Sequence, residues 1–88
     1  MRKLLTITNE KGLHARASAK FVECVEHFDA GVTVTKDGLS ADGDSIMGLL
    51  MLAASKGTSI EVETRGPQAE ELLSALEMLV ADKFGEPA

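Results

Sequence analysis

Between Leu4 and Thr8, apolar and β-branched residues place Leu5 and Ile7 on one face, and the run ends in the polar turn Asn9 to Gly12, which predicts a first strand. From Ala15 to about Phe28, residues Ser18, Phe21, Val22, Val25 and Phe28 recur at helical spacing, while Lys20, Glu23 and Glu26 take the other faces. The spacing predicts an amphipathic helix that closes near Asp29 to Gly31. Val32 to Lys36 alternates Val with Thr, Asp37-Gly38 is a hairpin signal, and Leu39 to Ala41 reads as a short return strand. Asp42 to Ser45 then supply turn and N-cap chemistry before Ile46 to Ala54, an apolar segment too long and too poor in β-branching for a simple strand. It predicts a short helix.

Ser59 to Thr64 alternates strictly, with Ile60 and Val62 inward and Glu61 and Glu63 outward, as a half-buried antiparallel strand does. After Gly66-Pro67, residues Ala69, Leu72, Leu73, Leu76, Leu79 and Val80 form a wide helical stripe opposite Glu70, Glu71 and Glu77. The order strand, helix, strand, strand, helix, strand, helix predicts an α+β fold, a four-stranded antiparallel sheet covered on one face by three helices with its other face solvated.

Composition narrows the function. At 88 residues with no linker, repeat or low-complexity stretch, the chain is expected to be one domain, 1–88, with a single core. Three Phe, no Trp or Tyr, and a net charge of -5 argue against nucleic acid, whose backbone demands clustered positive charge and whose bases stack on aromatics. Protein partners fit better. Cys24 is alone and no apolar run approaches membrane-spanning length, so a cytoplasmic, non-inserted, monomeric protein is expected. No metal site, cofactor motif or Gly-rich phosphate loop is visible.

His14 lies in Gly12-Leu13-His14-Ala15-Arg16, where the first strand gives way to the first helix. A helix N-terminus offers unpaired backbone N–H groups and partial positive charge, so an anion attached to a histidine there meets ready-made donors, and Arg16 adds a permanent fork of them. A neutral ring nitrogen is a nucleophile, and phosphoryl transfer needs in-line approach and charge stabilisation more than covalent machinery. Spacing alone leaves two readings level: His14 carries a phosphoryl group, or it only caps the helix.

The context separates them. The Gly12-Leu13-His14-Ala15-Arg16 run followed by small residues resembles the phosphorylation-site signature of the histidine-containing phosphocarrier family (HPr) of the bacterial phosphotransferase system. Asp44-Ser45-Ile46-Met47-Gly48-Leu49-Leu50 is similar to that family's second signature, and element order and length match throughout. The resemblance implies an open-faced β-sandwich and a phosphocarrier intermediate, not a stand-alone enzyme. It implies that His14 is phosphorylated on a ring nitrogen by enzyme I and passes the group to an EIIA-type protein, with Arg16 assisting and Ala15, Arg16 and Ala17 holding the phosphate. It implies no cofactor. The destination is either sugar uptake or a nitrogen-related regulatory relay. Gly66-Pro67-Gln68 and Glu23 and Glu26 on the first helix lean toward the regulatory branch, by resemblance alone.

The remaining residues carry double readings. Ile46, Met47 and Leu50 are either core or, with Lys20, a docking patch for partners; methionine suits adaptable contacts. Ser45 is an N-cap that an HPr kinase/phosphorylase could also phosphorylate, with the dianion repelling partners beside Asp42 and Asp44. Cys24 reads as small packing, His27 as a favourable charge at a helix C-terminus, and Glu86 to Ala88 as a frayed tail. Two rivals from other classes stay open: a regulatory docking module that never carries phosphate, and a small domain that senses a free anion at His14.

Overall fold

A computed structural model describes all residues, Met1–Ala88. The elements are β1 (Arg2–Thr6), α1 (Ala15–Glu26), β2 (Gly31–Lys36), β3 (Leu39–Asp42), α2 (Ile46–Met51), β4 (Ser59–Arg65) and α3 (Ala69–Ala81), followed by a 3-10 turn at Lys83–Gly85. The four strands form one antiparallel sheet in the order β1-β4-β2-β3. The hairpin forms as predicted, because Asp37 and Gly38 both take the positive φ, 50° and 82°, that matches the sheet's twist.

Period-two alternation sorts the sheet's two faces. Leu5, Val32, Val34, Ile60 and Val62 point to the helices and join a core of 19 buried apolar residues with Phe21, Leu49, Leu72, Leu76 and Phe84. Lys3, on the same side of β1, lies at the rim and reaches Glu77 of α3. The opposite face is a lattice of cross-strand polar pairs. Arg2 meets Glu63 and Glu61, Thr6 meets Ser59, Thr35 meets Ser40, and Arg65 donates to Thr33. These exposed pairs stabilise weakly, but they keep a flat sheet face hydrophilic.

Three elements differ from the sequence pattern by two residues or more. The first strand starts at Arg2, because residues 2–6 pair with Glu63 to Ser59. Ile7 still bonds Thr58 through its N–H, at 2.8 Å, beyond the strand's end. The second helix stops at Met51 and not Ala54, since Ala53 takes a positive φ of 51° that a helix cannot continue through. The first helix ends at Glu26, where the His27 ring Nδ1 donates to the Glu23 carbonyl at 2.7 Å. That bond satisfies an end-of-helix acceptor.

A larger correction concerns the tail. Glu86 to Ala88 are not frayed. Phe84 is fully buried and ties the turn after α3 into the core, and the Lys20 ammonium donates to the Phe84 carbonyl at 2.7 Å. The Ala88 carbonyl accepts from the Glu10 N–H at 3.1 Å.

Candidate functional site at the start of the first helix

The loop that delivers His14 is fixed from below. Asn9 is fully buried, and its side-chain amide donates to the Gly12 carbonyl at 2.8 Å, closing a tight turn. Gly12 takes φ +67°, and a Cβ there would stand 2.5 Å from the Ala54 carbonyl oxygen, so only glycine lets the loop lie this close to the 53–55 segment. Leu13 is buried, and its N–H donates to the Ala54 carbonyl at 2.8 Å. Its own carbonyl accepts from the Ser18 hydroxyl at 3.3 Å. His14 therefore leaves a loop with little freedom.

His14 is the N-cap of α1, in extended conformation, and its carbonyl accepts the Ser18 N–H at 2.8 Å. The ring Nδ1 accepts the Arg16 N–H at 3.3 Å, while Nε2 meets Glu86 Oε2 at 2.5 Å. An acceptor at Nδ1 and a carboxylate at Nε2 assign the ring proton to Nε2, leaving the Nδ1 lone pair aimed at the helix N-terminus. The Ala15 and Ala17 N–H groups donate to no protein acceptor, so the first turn keeps free donors beside that lone pair. Ala17 is itself fully buried.

Two shallow hollows flank the ring. One is lined by Glu10, Lys11, Arg16, Glu86, Pro87 and Ala88; the other by Lys11, Leu13, Leu50, Ala53, Ala54 and Ser55. Arg16 is exposed and borders the first. Leu50, half-buried, borders the second, while Ile46 and Met47 are exposed on α2 with Met51. Leu49 is the fully buried residue of this helix. Lys20 is on the surface, but its ammonium is occupied by Phe84.

Ser45 accepts the Gly48 N–H at 3.0 Å through its hydroxyl and so caps α2. It lines a separate hollow with Leu39, Asp42, Gly48 and Met51, which does not include His14. Burial raises the Cys24 thiol above its ordinary value, which makes it a packing residue of low reactivity.

The sequence motif covers residues 12–16, yet two further side chains touch the site. Glu86 and Asn9 are joined, Asn9 Nδ2 donating to Glu86 Oε1 at 3.0 Å. Neither has a local pattern that marks it. The available cue was Phe84-Gly85, an aromatic followed by glycine just past the last helical stripe, which is the composition of a chain end that turns back onto the core.

The hydrogen bond from His14 holds the Glu86 carboxyl below its ordinary range; burial opposes this, and Asn9, the His14 charge and Lys11 add to it. A lowered folded-state value means that the contact stabilises the tail above the unfolded chain's carboxylate value and is lost as pH falls through the lower folded one. Glu10, Lys11 and Arg16 are the other charged side chains around it. The tail is thus expected to be docked at neutral pH and released as acid protonates the Glu86 carboxylate. Hydrogen exchange of the Glu10 amide, which is protected by Ala88, would report this as faster exchange on acidification after correction for intrinsic rates.

Residues 1–82 match the family model described as the PTS HPr component phosphorylation site. The chain belongs to the HPr family. It is 48% identical over 86 residues to the phosphocarrier protein HPr of Neisseria meningitidis serogroup B, covering 98% of this chain and 97% of that one. To the phosphocarrier protein NPr of Escherichia coli K12 it is 42% identical over 87 residues, with the same two coverages of 98% and 97%. A crystal structure of HPr-C-His from Thermoanaerobacter tengcongensis superposes with a TM-score of 0.95 at 35% identity, over 100% of this chain and 99% of that one. The sheet with three helices on one face is the HPr fold, and a phosphocarrier role in a phosphotransferase system follows from membership of the family.

Proposed function

We propose that His14 accepts a phosphoryl group from phosphorylated enzyme I and hands it to a downstream EIIA-type protein. The observation that carries this reading is the ring itself: Nδ1 is unprotonated and faces the first-turn N–H groups of α1, while Glu86 keeps the proton on Nε2. Nδ1 attacks phosphorus in line, the bond from phosphorus to the donor's nitrogen breaks, and its electron pair returns to the donor. No proton leaves His14. The Arg16 N–H turns from the ring nitrogen to a phosphoryl oxygen, joined by the Ala15 and Ala17 N–H groups and the Arg16 guanidinium, and the same steps run in reverse toward the acceptor.

Leu50 beside His14, with Ile46 and Met47 exposed on α2, forms the apolar part of the docking surface in this reading. The protein works as a monomeric domain, 1–88, in the cytoplasm, and both a sugar-uptake and a regulatory acceptor use the same face. The test is incubation with phosphoenolpyruvate and enzyme I from the same organism. An acid-labile, alkali-stable phosphate whose phosphorus resonance identifies an Nδ1 adduct is expected, and absence of label on the wild-type chain would sink the carrier reading.

Phosphorylation of Ser45 by an HPr kinase/phosphorylase belongs to the same proposal. A dianion at the start of α2, beside Asp42 and Asp44, repels an approaching acidic surface. Ser45→Asp is expected to accept phosphate from enzyme I several-fold more slowly. Asp is as good an N-cap as Ser, so α2 remains folded and the loss reads charge alone. Equal initial rates for the two proteins would leave Ser45 a cap.

A further inference from the structure

The carboxylate on His14 comes from a segment with its own anchors. Phe84 is buried, Lys20 grips its carbonyl, and Glu10 bonds the carbonyl of Ala88, so Glu86 is held between fixed points. Asn9 is fully buried and spends both amide hydrogens, one on Gly12 and one on Glu86 Oε1, while its Oδ1 has no partner. An unpaired buried acceptor is a cost, and the arrangement tolerates it to place two donors. The contact is also sheltered: the His14 and Glu86 side chains are 26% and 13% exposed, unlike the solvated pairs on the sheet.

We propose that Glu86 is a positioning residue for the phosphoryl transfer, holding the proton of the His14 ring on Nε2 and balancing the positive charge that the ring takes up when Nδ1 bonds to phosphorus. The charge follows from counting. A neutral imidazole with a proton on Nε2 becomes an imidazolium-like ring when Nδ1 gives its lone pair to phosphorus, and the phosphoryl oxygens lie on the other side of the ring from Glu86. A carboxylate at Nε2 therefore favours the phosphorylated state over the free one. Asn9 acts one step further out, by keeping Glu86 from turning away. The inference rests on the carrier reading for its charge component, but the tautomer component concerns the unphosphorylated protein and stands apart from it.

Three proteins test it: wild type, Glu86→Gln and Glu86→Ala. Glutamine keeps an acceptor oxygen for Nε2 without the charge; alanine removes both, and neither replacement disturbs Phe84 or Lys20. Nitrogen-15 spectra of the free proteins at a pH where the ring is neutral are expected to show Nε2–H in wild type and Glu86→Gln, and a mixture with Nδ1–H in Glu86→Ala. At equilibrium with phosphorylated enzyme I, both variants are expected to hold about tenfold less phosphate relative to the donor, the effect of roughly one pKa unit from losing an opposite charge at contact distance. The KM for enzyme I should stay within about twofold, since the docking residues on α2 are untouched. Wild-type tautomers in Glu86→Ala together with an unchanged phosphate distribution in both variants would overturn the proposal. An unchanged distribution alone would remove its charge component, and wild-type tautomers in Glu86→Ala alone would remove its tautomer component. If the wild type takes no label, the carrier reading fails, and the spectra still decide the tautomer component.

Discussion

Replacing His14 by alanine is expected to abolish phosphoenolpyruvate-dependent labelling while leaving the fold in place. The ring contributes to the fold only as a helix cap through a long bond, 3.3 Å, to the Arg16 N–H, and losing an N-cap costs about 1 kcal/mol. Its second contact, to Glu86, orders the tail but lies outside the core. Against that modest cost stands a complete loss of chemistry, because the other histidine, His27, is spent on the carbonyl at the far end of α1. His14→Asn sharpens the comparison. Asparagine is among the strongest N-caps, so this variant keeps the helix start and lacks only the nucleophile. Labelling assays beside thermal melts check both: label persisting on His14→Asn would place the phosphate elsewhere, and a large fall in melting temperature would make His14 a structural residue first.

Phe84→Ala is expected to be the most damaging change to stability. The ring is fully buried beneath a turn in which Lys83 and Phe84 both take positive φ, 55° and 56°, a strained conformation that burial of the ring offsets. Truncating a core Phe to Ala costs about 3–5 kcal/mol, a large part of the roughly 5–15 kcal/mol that holds a small protein folded. The consequence reaches the site, because the same turn presents the carbonyl that Lys20 grips and carries Glu86 to His14. Urea titration should show the loss, and the His14 ring resonances should lose their Glu86 signature while the protein is still folded. Phe84→Leu keeps most of the volume and should cost markedly less. A Phe84→Ala midpoint equal to wild type would mean that the tail is not part of the core.

Most of the fold was legible because its elements are amphipathic along their own length. Leu72, Leu73, Leu76 and Val80 repeat as a helix must, Ile60 and Val62 as a strand must, and all six are buried. His14 and Arg16 were legible from a contiguous motif, and the structure places both at the start of α1. The polar links around them were not. Asn9 reads as a turn residue, which it is, but its side chain also bonds a partner 77 positions away. Glu86 reads as a charged residue near a chain end, and its role depends on Lys83 and Phe84 adopting positive φ, a conformation that neither residue type announces. Local chemistry thus shows where His14 sits and stays silent on which distant side chains its ring meets.

The tail contact also sets the order in which the molecule becomes competent. His14 and Glu86 stand 72 positions apart, and the Arg2–Glu63 contact that joins the edge strand to its neighbour spans 61. Such distant pairings form late, after the loops between them have closed. During synthesis the helix carrying His14 leaves the ribosome long before residues 84–88 do, so a nascent chain exposes its imidazole with the proton free to move between the two nitrogens. On the role proposed for Glu86, a chain whose residues 84–88 have not yet docked holds about tenfold less phosphate than the folded protein.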